Sequence, residues 1–105
     1  MKTKYKIMDA VSRSCETEAK IIMGSKRTKK ASYARDISAY IMHLTGHSHE
    51  DISKTFNRDR SSVTHMIKRV RTRIGEASNH GRMLRERIKY ILDTGLDMGF
   101  IDIDE

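Results

Sequence analysis

Residues 48–74 read SHEDISKTFNRDRSSVTHMIKRVRTRI, and this run decides the fold. Ser48 followed three residues later by Asp51 is a capping pair, with Asp where Glu usually stands, and it opens a short helix to about Phe56. Ile52 and Phe56 give that helix its inward pair. Asn57-Arg58-Asp59 is a tight turn. Asp59 or Ser61 can cap the next helix, which runs to about Ile74 with Val63, Ile67, Val70 and Ile74 inward. Its other face shows Arg60, Ser61, Ser62, Thr64, His65 and Lys68 near the start. A short helix, a tight turn and a longer helix are how a helix-turn-helix is built. The second helix of such a unit enters the major groove N-terminus first, because its free N–H groups and dipole favour phosphates there. Two ordinary packed helices with a polar outer face fit the same pattern.

Outward from this run the spacing stays helical. Upstream, Ile7, Met8 and Val11 fit one face of a first helix over about 4–14. Thr17 can cap a short second helix through Met23, with Ile21 and Ile22 inward and Gly24 as its stop. Ser25 to Lys30 reads as a basic loop. A third helix over about 32–45 places Ile37, Tyr40, Ile41 and Leu44 in one stripe, and Gly46 ends it. Downstream, Gly75 to Gly81 is a break, and a sixth helix over about 82–95 has Leu84, Ile88, Ile91 and Leu92 inward. That stripe is too wide to leave in water, so it covers the domain's own core or pairs with a second copy. The expected architecture is all-α: a compact domain of about six helices containing a helix-turn-helix, with an extra C-terminal helix. Residues 1–75 are expected to form the helix-turn-helix unit, and residues 76–105 a helix and acidic tail, packed on that domain or used for interaction.

With 105 residues, the chain has room for one modest core. Twenty-one Lys and Arg against fourteen Asp and Glu give +7, a balance that points to a polyanionic partner. The charge is ordered along the chain. Lys26, Arg27, Lys29, Lys30 and Arg35 crowd one stretch without an acid, and a second basic block spans Arg58 to Arg73. Asp93, Asp97, Asp102, Asp104 and Glu105 close the chain without a base. No apolar run reaches membrane-span length, and Asp9, Ser12 and Arg13 interrupt any secretory signal. Cys15 stands alone, which excludes an internal disulfide and a thiolate zinc site and fits a reducing cytoplasm. His43, His47 and His49 straddle a helix end without a fourth ligand, so no metal is expected. No acid–base pair in a cleft can be argued from spacing, so neither enzyme activity nor a cofactor is expected.

Several stretches together resemble the C-terminal DNA-binding domain of the bacterial replication initiator DnaA. They are Ile7-x3-Val11, the basic loop, Ala34-Arg35, Tyr40-Ile41, Leu44-Thr45, His47-Ser48, Ile52, Phe56 and Arg58-Asp59-Arg60-Ser61-Ser62-Val63-x-His65. The resemblance covers roughly residues 4 to 74. It implies that Arg27 reaches the minor groove, that Arg35 contacts DNA, and that Arg58 holds a phosphate. It also implies that Asp59, Arg60, Ser61, Ser62 and His65 read bases. Chemically, Arg60 can fork onto guanine, Asp59 can accept from cytosine N4, and the serines can bond either base. Lys26, Arg27, Lys29 and Lys30 of the basic loop are expected to supply sequence-independent affinity, and Lys68 joins the DNA-binding face of the recognition helix. The family's nucleotide-binding loop has no counterpart, since Gly24-Ser25-Lys26 is a poor fragment of one. Taken as complete, the chain is expected to be a free-standing domain binding duplex DNA, with a monomer favoured over a homodimer. It would regulate replication initiation or transcription. The alternative is an adapter that docks a replication or transcription protein through its last helix and tail.

Four departures from the family carry consequences. Arg60 stands in place of the signature histidine, which moves base preference toward guanine. Ser61 and Ser62 replace threonines and lose methyls that can touch thymine. Asn57 replaces a glycine pair, and Asn tolerates a left-handed turn. Between Arg35 and Leu44 the chain is one residue shorter, which rotates Arg35 by about 100° from its family counterpart. Asp36 replaces a family glutamine and would meet phosphate unfavourably in that place.

Overall fold

The computed structural model describes residues 2–25 and 27–98. Among the described residues six helices follow one another: α1 (Lys2–Cys15), α2 (Ala19–Met23), α3 (Lys29–Leu44), α4 (His49–Phe56), α5 (Arg60–Ile74) and α6 (Asn79–Met98). Lys26 and residues 99–105 lie outside the described residues, so the expectations for the Lys26 side chain and for the end of the acidic tail lie there too.

Caps explain where three helices begin. Thr28 accepts the Ala31 N–H at 3.1 Å and starts α3 at Lys29. Lys29 and Lys30 therefore sit in the first turn of a helix, not in the expected loop. Ser78 accepts the Gly81 N–H at 3.1 Å, so α6 begins before Gly81, not after it. Ser48 accepts from Asp51 N at 3.1 Å, as the capping pair requires. Thr17 does not cap α2, whose N-cap position is Glu18. Its hydroxyl instead donates to Cys15 O at 3.1 Å.

One core runs through the helices. Ile7 and Val11 of α1, Ile37 and Ile41 of α3, Ile52 and Phe56 of α4, Val63 and Ile67 of α5 and Leu84, Ile88 and Ile91 of α6 all belong to it. The last helix thus spends its apolar stripe on this core. Arg87 of α6 fastens it to α1 by donating to the Ser14 carbonyl and hydroxyl. The stripe of α3 is rotated from the expected one. Ala34, Ile37, Ser38, Ile41 and Met42 are buried, whereas Leu44 is 51% exposed. The chain leaves the helix at Leu44 through Thr45 and Gly46, whose φ of +96° suits glycine.

Candidate nucleic-acid interface

α4 and α5 are joined by three residues, and the turn is built from their own side chains. Asn57 sits at φ 52°, ψ 49°, the left-handed conformation expected for it. Ser53 donates its hydroxyl to the Arg58 carbonyl and accepts the chain reversal through Arg58 N–H to Ser53 O at 3.0 Å. Asp59 then caps α5 by accepting the Ser62 N–H at 2.7 Å, and this bond holds its carboxyl below the usual carboxylate range. One oxygen of Asp59 is therefore committed to the helix.

Beyond the cap, α5 turns an exposed polar face outward. Ser61, His65 and Lys68 are exposed, and Ser62 is half-buried. Arg60 leans toward α4, where its guanidinium lies 3.6 Å from Glu50, with both side chains more than half exposed. Such a pair contributes little and can be exchanged for another partner. Thr64 donates to Arg60 O at 3.0 Å and faces His49.

Beside α5 lies an open cleft of about 590 Å³. Its walls are the loop after α2 (Ser25, Arg27), the middle of α3 (Arg35, Asp36), the turn (Asn57, Arg58) and α5 (Ser62, His65, Arg69). Four arginines line it, but they are not equivalent. Arg58 donates to Phe56 O at 2.6 Å and to Gly24 O at 3.2 Å, stapling the turn to the end of α2. Arg35 is 5% exposed and donates to Ile22 O at 2.8 Å and Ile21 O at 3.2 Å. Burial, then the nearby Arg58, lower its pKa. Arg27 is exposed on the rim. Arg69 grips Asp36 through two bonds of 2.9 Å.

The cleft brings together Arg27, Arg35, Arg58, Ser62 and His65 of the residues singled out from sequence. Asp59, Arg60 and Ser61 stand at the tip of α5 outside it. Lys68 lines a neighbouring groove with His65, Arg69 and Arg73. Lys29 and Lys30 line a third groove with Tyr33, Arg73, His80 and Arg87. Both grooves meet the cleft at Arg69. Arg69 is not among the residues singled out from sequence, although Ser62, His65 and Arg69 at i, i+3 and i+7 carry the signal of one helix face.

The remaining candidates have structural partners. His47 bonds Met42 O through Nδ1 at 3.1 Å, and His43 and His49 pack edge to face with ring centres 5.4 Å apart. Among the described residues no group of His, Cys, Asp or Glu could hold a metal ion. Cys15 is buried, and burial pushes its thiol pKa up. Among the described residues no helix is long and apolar enough to cross a membrane.

Comparison with known proteins bears on this geometry. The family model described as "Bacterial dnaA protein helix-turn-helix" matches residues 5–70, more than half of the chain. The chain is also 36% identical over 59 residues to the chromosomal replication initiator protein DnaA of Deinococcus deserti. That alignment covers 55% of this chain and 13% of the longer protein.

Proposed function

This chain belongs to the bacterial DnaA helix-turn-helix family, and we propose that it binds double-stranded DNA at particular sequences and regulates replication initiation or transcription. The observation that carries this reading is the exposed start of α5 standing beside a cleft rich in arginine. α5 enters the major groove tip first, with Arg60, Ser61 and His65 at base edges. Arg27 reaches toward the adjacent minor groove, while Lys26, Lys29, Lys30 and Lys68 supply affinity that is indifferent to sequence. The name of the Deinococcus relative supports replication initiation as the process served.

A selection from random duplexes followed by binding titrations tests this. Arg60→Ala is expected to cost about 1–3 kcal/mol on the selected site and little on mixed-sequence duplex. Equal losses on both would reduce Arg60 to a backbone contact, and no enrichment of any duplex would end the reading. A second reading is favoured by one observation. The ends of α3 and α5 and the face of α6 leave a groove lined by Tyr40, Leu44, Ile74 and Leu92. There the protein would act as an adapter, docking a replication or transcription protein through α6 and the acidic tail. Loss of partner capture on Leu44→Asp, with DNA affinity intact, would select it.

A further inference from the structure

Asp36 poses a problem for a DNA-binding cleft. It is an acid in the wall of a groove whose other charged side chains are cationic. An unpaired carboxylate there would repel a phosphate backbone and weaken binding. Its geometry is that of a clamp instead. The Asp36 side chain is 15% exposed and comes from the middle of α3, whereas Arg69 is 57% exposed and comes from the third turn of α5. Nε of Arg69 donates to one carboxylate oxygen and Nη2 to the other, both at 2.9 Å. This is the fork geometry that fixes a guanidinium plane. Nη1 of Arg69 has no hydrogen-bond partner among the described residues.

The arrangement of neighbours gives that free edge a use. Arg35 and Arg58, in the same cleft, spend N–H groups on backbone carbonyls. Arg69 presents its outer edge where three grooves meet, beside His65, Lys68 and Arg73. It sits on the flank of α5 that faces α3, not at the leading tip where base edges are read. The position suits a backbone phosphate.

We propose that Asp36 is a positioning residue that holds Arg69 rigidly as a phosphate-binding guanidinium of the DNA interface. The inference rests on the DNA-binding reading above. A free arginine must be immobilised when it binds, and holding it beforehand removes that cost, worth about two- to tenfold in affinity. The carboxylate faces the partner through the guanidinium it neutralises, so its own repulsion is muted.

The test is a double-mutant cycle on the full chain, with a mixed-sequence duplex of about two helical turns and binding followed over a range of salt. Arg69→Ala is expected to lower affinity and to flatten the salt slope by about one unit. Arg69→Lys keeps the charge but cannot fork, so it lowers affinity with the slope unchanged. Asp36→Ala lowers affinity about two- to tenfold in the wild-type background, although it removes a negative charge. In the Arg69→Ala background the sign reverses, and Asp36→Ala raises affinity, because it then removes an unpaired acid. Thermal unfolding of each variant confirms that binding is measured on folded protein. Asp36→Ala raising affinity by the same factor in both backgrounds would overturn the clamp while leaving DNA binding intact. A wild-type chain that binds no duplex overturns both.

Discussion

Replacing Arg58 by alanine separates two roles that meet in one side chain. The family resemblance makes Arg58 a phosphate contact, whereas the structure makes it a staple between elements far apart in sequence. Its guanidinium donates to Phe56 O at 2.6 Å and to Gly24 O at 3.2 Å, so it ties the helix-turn-helix turn to the end of α2. A net hydrogen bond contributes about 0.5–1.5 kcal/mol. The group is half-buried and both carbonyls can be rehydrated after truncation, which favours the lower half of that range. Two bonds then amount to about 1–2 kcal/mol. For a domain of this size each kcal/mol moves Tm by about 4–8 °C, so Arg58→Ala should melt about 5–15 °C lower. Arg58→Lys should recover less than half of the loss, because an ammonium on a flexible stem cannot reach both carbonyls with a planar fork. Thermal unfolding followed by circular dichroism gives the number, and a salt titration against duplex reads the other role. An unchanged Tm in Arg58→Ala would refute the staple and leave a surface cation.

Two further outcomes follow from packing. Gly81→Ala should destabilise the protein by about 1–2 kcal/mol: a Cβ there would lie 2.3 Å from Glu76 O and 2.8 Å from Arg73 O, which outweighs the helix-propensity gain of about 1 kcal/mol. A higher urea midpoint than wild type would contradict this. Cys15 is 6% exposed with its thiol pKa raised by burial, so alkylation at about pH 8.5 should be slow and should track the rate of unfolding. Fast labelling of folded protein would contradict that.

What the sequence made legible was local. The capping pairs at Ser48 and Asp59 and the left-handed turn at Asn57 each depend on residues within three positions, and each appears as read. The inward pair Ile52 and Phe56 is likewise a matter of helix period. The misplaced starts of α3 and α6 are also local, and both have the same cause. Thr28 and Ser78 are good caps, but the Lys29-Lys30 pair after one and Gly81 after the other looked like loop composition. Leu44 failed for a different reason. Both stripes of α3 obey the helical period, one through Leu44 and one through Ser38 and Met42. Only the position of the neighbouring helices decides which is buried.

The site was harder to read because its decisive pairings cross the chain. Nothing near Asp36 in the sequence announces a partner, since Arg69 lies 33 residues away on another helix. Arg35 makes the same point from the other side. Carried over by resemblance, it is expected to contact DNA, and the resemblance also carries one residue fewer in the segment that follows. The structure places its guanidinium against the carbonyls that end α2, where a phosphate would have to displace two hydrogen bonds in a buried setting. The α3 wall of the cleft thus holds its arginine against backbone carbonyls, whereas the α5 wall carries a more exposed one. Arg69 keeps its outer edge exposed, and Asp36, one residue after Arg35, is what fixes it there. Arg35 and Asp36 are therefore adjacent parts of one cleft wall, the first tied to the end of α2 and the second to Arg69 of α5.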